Sequence, residues 1–297
     1  MPDYAFDWVD AFTDTPFGGN GCAVVHDAGD IPVETCTAYV RETSLVECTF
    51  LEPSDIADIK VRYFIAAREI PFAGHPTIAS VASMVHRGLV DLTSGAAAMT
   101  LETGAGLVPI TVTAGNPPRI TMTQIAPLFG EKVSPERVAP VVGLSPQDIV
   151  GQPQFVSTGL PFCITLLKDH DALRRARMDP QALDRFRAEA SIADADVMEP
   201  YLVTLAGATP RGDTFSRLLL APPHPAEDPF TGSATGAAAA YLWHHGLIEA
   251  PQYIAEQGHW MDRPGQAEVE ILGPRDAIQG VKVTGTGAIL MEGVLKL

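Results

Sequence analysis

Two stretches of the chain carry the same chemistry-bearing residues at the same spacing. Glu69-Ile70-Pro71-Phe72-Ala73-Gly74-His75-Pro76-Thr77-Ile78-Ala79 matches Glu227-Asp228-Pro229-Phe230-Thr231-Gly232-Ser233-Ala234-Thr235-Gly236-Ala237 at Glu, Pro, Phe, Gly, Thr and Ala, with an offset of 229 minus 71, or 158 residues. Gly74-His75 and Gly232-Ser233 each put a glycine and a polar side chain where a helix is predicted to open. Backbone N–H groups at a helix start have no intrahelical acceptor and carry the positive end of the dipole, so they attract an anion or a developing oxyanion. If two such starts face each other, they converge on one small carboxylate-bearing ligand. The alternative is that His75 and Ser233 only cap their helices, and the repetition of the motif favours a ligand.

An offset close to half of 297 residues points to duplication of one domain. Each copy runs on into a helix of small residues, Ala79, Ser80, Ala82 and Ser83 in the first and Ala237 to Ala240 in the second. Such a helix suits close enclosure by a curved sheet. Helices are predicted at about Val33 to Glu42, His75 to His86, Pro135 to Val142, Pro180 to Ala190 and Ser233 to His245. The last ends at His244-His245-Gly246, two imidazoles at the negative end of the dipole and a glycine suited to a left-handed cap. Strand patterns fill much of the rest, from Tyr4 to Val9 through Lys60 to Phe64 and Arg119 to Thr123 to Phe215 to Leu220 and Ala288 to Glu292. Few connections look like parallel crossovers, so the pattern is α+β, dominated by antiparallel sheet. The length suggests two domains of roughly 150 residues, each large enough for its own core. The expected division is 1–117 plus about 284–297 for the N-terminal half and 118–283 for the C-terminal half, with the site in the cleft between them.

The net charge of -16 argues against a nucleic-acid partner, because a phosphate backbone would be repelled over most of the surface. No apolar run approaches the roughly 18 residues that suggest a membrane span. With Asp3 and Asp7 and no basic residue in the first ten positions, the N-terminal stretch is unlike a secretory leader, and a cytoplasmic location is expected. Cys22, Cys36, Cys48 and Cys163 have neither CxxC spacing nor a histidine in a metal-ligand pattern, and they read as buried reduced thiols with no metal site. Gly104-Ala105-Gly106 has Pro109 where a dinucleotide fingerprint needs its third glycine, so it reads as a hairpin turn, as does the turn at Gly285-Thr286-Gly287.

Gly18-Gly19-Asn20, Val46-Glu47-Cys48-Thr49-Phe50, Pro71-Phe72-Ala73-Gly74-His75-Pro76-Thr77 and Glu227 to Gly236, with Gly159-Leu160-Pro161, Gln257-Gly258 and Arg263-Pro264, make the chain resemble the PhzF family of phenazine-biosynthesis-like proteins over essentially its whole length. The resemblance implies the diaminopimelate epimerase fold: two pseudo-symmetric domains, each a central helix wrapped by curved, mostly antiparallel sheet. It also implies a cofactor-independent homodimeric isomerase acting on a small carboxylic acid, dihydro-hydroxyanthranilate-like or amino acid-like. The expected chemistry is a proton shift, with Glu47 as acid/base and His75 and Asp228 beside it. Asn20, Gly74, Gly232 and Ser233 are the implied substrate-binding residues. A carboxyl group in a dry cleft can be tuned to both give and take a proton, and helix-end N–H groups can stabilise an electron-rich intermediate. The chain departs from the family pattern at Gly21, Val46, Cys48 and Ile65-Ala66, positions expected around the ligand. Two alternatives stand beside this reading: a cofactor-independent epimerase or racemase, including a two-thiol form that the absence of cysteine from both helix starts disfavours, and a non-catalytic binding protein that keeps the fold.

Overall fold

The structure, a computed structural model, describes residues 2–189, 199–222 and 224–297. The chain builds one unit twice. The first contains β1 (Asp3–Ala11), β2 (Asn20–Val25), α1 (Val33–Thr43), β3 (Glu47–Glu52), β4 (Ile59–Phe64), β5 (Glu69–Ile70), α2 (Gly74–His86), β6 (Ala96–Thr103), β7 (Gly106–Thr113) and β8 (Arg119–Gln124). The second contains β9 (Leu128–Lys132), α3 (Pro135–Val138), β10 (Gln154–Ser157), β11 (Pro161–Leu166), α4 (His170–Arg175), α5 (Pro180–Glu189), β12 (Pro200–Thr204), β13 (Thr214–Leu219), β14 (Glu227–Asp228), α6 (Gly232–His244), β15 (Gln252–Gln257), β16 (Gly265–Leu272) and β17 (Gly280–Gly285). The final strand, β18 (Gly287–Lys296), pairs with β1 as β9 pairs with β10.

Most neighbouring strands are antiparallel, and the exceptions are the parallel pairs β2–β3, β4–β6, β11–β12 and β13–β15. A parallel pair needs a long crossover, and here each crossover contains helix: α1, α2, α4 with α5, and α6 in turn. The central helices α2 and α6 are therefore the crossovers of equivalent pairs. Strands β8 and β17, equivalent in the two units, pair with each other antiparallel and join the two halves of the sheet.

Both central helices are buried from their first residue through eleven positions, Gly74 to Met84 and Gly232 to Leu242. Their small side chains permit this: a Cβ on Gly236 would stand 1.9 Å from Gln124 Oε1, and one on Gly287 of β18 would stand 2.6 Å from Ala82 Cβ. Both helices end alike, with Gly88 (φ 71°) and Gly246 (φ 68°) in the left-handed region and Leu89 N and Leu247 N donating to Met84 O and Leu242 O. That pattern of closing bonds is the Schellman motif. It extends the repeat beyond the matched motif. His244 Nδ1 meets Arg275 O and His245 Nε2 meets Gln154 Oε1, so both imidazoles tie the helix end to neighbouring loops.

The structure corrects several expectations. The helix predicted over Pro135 to Val142 is α-helical only to Val138 and then a 3₁₀ turn closed by Gly143, because Pro140 has no N–H to continue the ladder. The helix predicted to reach Ala190 is seen to Glu189, and Ala190 lies outside the described residues. Strands β9, β10, β15 and β17 escape the sequence pattern. The largest apolar cluster runs through both units, from Val9 and Ile78 to Ala237 and Val283. Smaller clusters lie under α1 and under α3 to α5. Gly104-Ala105-Gly106 forms the β6–β7 turn as expected, with Thr103 opposite Gly106.

Candidate active site

The starts of α2 and α6 touch. A Cβ added to Gly74 would lie 2.3 Å from Ser233 N and 2.7 Å from Gly232 Cα, and one added to Gly232 would lie 2.7 Å from the Phe12 ring. Only glycine allows two helix starts to approach so closely. Phe12 stacks on Phe230 at 4.3 Å between ring centroids and braces the junction. The two helix starts of the duplicated motif thus lie side by side.

Around this junction a polar chain links both units. Asn20 Nδ2 lies 2.6 Å from Asp228 Oδ1, 2.9 Å from Phe230 O and 3.0 Å from His75 Nδ1. His75 Nδ1 is in turn 3.5 Å from Glu47 Oε2. Thr231 Oγ1 donates to Asp228 Oδ2 at 2.5 Å, while Gln257 donates to Asp228 O and accepts from Thr231 N. The loop that presents Asn20 is fixed from the other unit, since Arg263 donates to Gly18 O, Gly19 O and Asp10 Oδ1. Gly19 (φ 49°) has no room for a side chain, whose Cβ would be 2.0 Å from Ala11 O.

The network is almost dry, with Glu47 8%, His75 2% and Asp228 3% exposed. Burial, with Asp228 adding to it, holds the Glu47 carboxyl well above its ordinary pKa. Burial lowers the His75 pKa to about 3, a shift to which Arg263 adds and which a Gly21 backbone contact opposes. Burial likewise raises Asp228 to about 7, against hydrogen bonds from Thr231 and Asn20 and with help from Glu227 and Glu199. With its pKa lowered to about 3 the imidazole is neutral at pH 7, so the 3.5 Å approach of Glu47 to His75 is not an ion pair there, and burial favours the acid form of the carboxyl. With Nδ1 accepting, the imidazole proton sits on Nε2, which is buried and has no hydrogen-bond partner among the described residues.

Glu47, Asp228, Thr231 and Ser233 line a cleft of about 380 Å³ whose walls are largely apolar, including Val46, Ile65, Leu160, Phe162, Leu218 and Leu220. Two of the departures from the family pattern, Val46 and Ile65, are in this wall, whereas Cys48 packs behind it in the cluster under α1. None of the four cysteines lines the cleft, and all are buried free thiols whose pKa burial raises. This overturns the two-thiol alternative. The structure thus brings Asn20, Glu47, His75, Gly74, Asp228, Gly232 and Ser233 to one place. Sequence reasoning missed Thr231 and the bracing roles of Gln257 and Arg263, although all three stand in the quoted motifs. It also missed Arg187, Glu199 and His224, which line the cleft without any motif. A second hollow, of about 370 Å³, is lined by Phe12 and by Arg119 and Glu268, which are bound to each other, but by none of Asn20, Glu47, His75, Asp228 or Ser233.

Comparison with known proteins gives the family and the fold. A family model described as phenazine biosynthesis-like protein matches residues 9–293. Trans-2,3-dihydro-3-hydroxyanthranilate isomerase of Pseudomonas fluorescens is 30% identical over 97% of this chain and 98% of its own. Among solved structures, a Bacillus anthracis phenazine biosynthesis protein of the PhzF family superposes with a TM-score of 0.85 at 25% identity, covering 100% of both chains. A hydroxyproline epimerase from Agrobacterium vitis shares the fold, with a TM-score of 0.68 at 14% identity over 99% of this chain and 91% of its own.

Proposed function

The chain belongs to the phenazine biosynthesis-like family and is an isomerase, and from that premise we propose that it moves a proton between two carbons of a small cyclic or amino carboxylic acid, with Glu47 as the proton carrier. The observation that carries this reading is the Glu47–His75–Asn20–Asp228 chain at two touching helix starts. In this mechanism the substrate carboxylate rests against the free N–H groups of α2 and α6, and its hydrocarbon body lies against Leu160 and Phe162. Glu47, whose acid form burial favours, delivers its proton to one carbon of an unsaturated substrate. As the carboxylate so formed, it removes a proton from a second carbon, which shifts the double bond and restores the acid. The neutral His75 donates through Nε2 to the substrate's polar group. Asp228 balances charge that develops in between, and its pKa near 7 lets it respond to that charge.

The test uses trans-2,3-dihydro-3-hydroxyanthranilate, followed by proton NMR in heavy water. Glu47→Gln keeps the shape and removes the proton carrier, and its rate is expected to fall on the order of 10² to 10⁴ while ligand affinity changes far less. A variant that isomerises as fast as wild type would make Glu47 a structural acid. The family resemblance also supports a homodimer. Light scattering should then give a mass near twice 31.6 kDa, and a monomer at working concentrations would count against it.

A further inference from the structure

Glu47 has a counterpart that no repeated motif reveals. The ion pair Arg62–Glu69 between β4 and β5 recurs as Arg217–Glu227 between β13 and β14, so the two ladders are in equivalent register. From Glu69 the pairing leads across Phe64 to Cys48. From Glu227 it leads across Leu219 to Pro200, since Tyr201 faces Leu218. Cys48 and Pro200 are thus equivalent, and the residue before each is a glutamate: Glu47 in the first unit and Glu199 in the second. The offset is 199 minus 47, or 152, which differs from 158 and explains why the motif search passes over it.

Glu199 is 4% exposed and lines the same cleft as Glu47. Arg187 Nη2 stands 3.2 Å from Glu199 Oε1, a counter-charge for its carboxylate. Residues related by a twofold axis lie on opposite sides of it, and here the axis passes between the touching starts of α2 and α6. A ligand carboxylate seated on those helix starts would hold its α-carbon between the two glutamates. We propose that Glu199 is a second catalytic acid/base, and that with Glu47 it inverts the α-carbon of α-amino acids with apolar side chains. This rests on the site assignment made above and adds a second activity to it.

The step balances without a co-reactant. The α-C–H bond breaks and its proton passes to the Glu199 carboxylate, while the electron pair is delocalised into the substrate carboxylate between the helix starts. The Glu47 acid then forms the new C–H bond from the opposite face. The enzyme is left with Glu199 protonated and Glu47 ionised, which is the form that runs the reverse inversion. The raised pKa of Glu47 and the ion-paired Glu199 suit the starting state.

The probes are L- and D-phenylalanine and L- and D-leucine, each incubated with the full chain in heavy water and followed by proton NMR and chiral chromatography. Wild type is expected to place solvent deuterium at the α-carbon of the product enantiomer while the remaining substrate stays protiated. Glu199→Gln and Glu47→Gln should each invert about 10²-fold more slowly or worse, and each should exchange the α-proton of one enantiomer only, the two variants choosing opposite ones. If Glu199→Gln does not fold, Glu199→Asp tests the same point, because the shortened carboxylate should slow inversion while keeping the ion pair with Arg187. The proposal fails if wild type exchanges no α-proton in any of the four, if the Glu199 variant inverts within threefold of wild type, or if both variants exchange the same enantiomer. The isomerisation assay on trans-2,3-dihydro-3-hydroxyanthranilate reports separately, so failure of the proton-shift reading leaves these outcomes interpretable.

Discussion

Asn20 offers two amide hydrogens to three acceptors, His75 Nδ1, Asp228 Oδ1 and Phe230 O, so one hydrogen is shared. The contact with Asp228 is the shortest and is strengthened by whatever negative charge that carboxylate bears. The charge is costly to bury. A folded-state pKa near 7 against an ordinary 3.8 means that the favourable contribution of Asp228 is complete below about pH 3.8 and is lost as the pH rises through 7. A difference of about three in pKa corresponds to roughly 4 kcal/mol at most. Asp228→Asn should therefore raise the melting temperature more at pH 8.5 than at pH 5.5. His75, whose folded pKa is lowered, contributes in the opposite sense below pH 6.5, but it is present in both proteins and largely cancels in the comparison. Thermal melts of the two proteins at both pH values check this, and an equal gain at both would show that Asp228 is not held near neutrality by burial.

The helix starts make a sharper demand on the elements. Gly74→Ala has to displace Ser233 N or Gly232 Cα, and overpacking of that kind costs about 1–3 kcal/mol. Because the displaced atoms belong to the proposed carboxylate seat, kcat/KM should fall as well. Gly88→Ala is the control: its Cβ would meet nothing within 4 Å, and only the left-handed backbone resists it, at roughly 1 kcal/mol. Urea melts and isomerisation assays on both variants separate the two effects, and a Gly74 variant as active as the control would show that the helices need not touch. The same junction explains what the sequence disclosed. The motifs around Gly74 and Gly232 are constrained by contact with each other, so their residues repeat and the fold and much of the site are legible from them. Glu199 is placed by strand register alone, with nothing local to mark it, and Arg187 reaches the cleft from a helix of ordinary surface composition. Strands β9 and β15 were missed because their alternation is diluted by Gly130, Lys132, Gln252 and Glu256, residues that serve a sheet edge or a loop contact instead of a uniform apolar face. The break at Pro140 is legible in the sequence, because proline cannot continue the helical ladder whatever the apolar pattern around it.

At the scale of the whole molecule, the two units cannot be taken apart without opening the largest apolar cluster, which runs through both. None of the described helices is long and apolar enough to cross a membrane. The net charge of -16 repels small anions at long range, so the proposed carboxylate substrate gains no long-range attraction from the surface. The strand that closes the first unit comes from the far end of the chain: β18 lies beside β1, Asp3 faces Lys296, and Leu297 N donates to Pro2 O at 3.2 Å. The connection from β8 to β9, by contrast, is a short exposed stretch at Ile125 to Pro127. In topological terms residues 2 and 297 are neighbours, as the two sides of a gap in a ring would be. A circular permutant that begins at residue 128, runs through 297, and continues by a short Gly-Ser linker into residues 2–124 would carry each nine-strand unit as one uninterrupted segment. Such permutants are tolerated where the new ends fall in exposed connections and the old ends are adjacent. The permuted chain should melt in one transition and retain isomerase activity, and a calorimetric trace with two separated transitions would show that the order of strands along the chain matters to the fold.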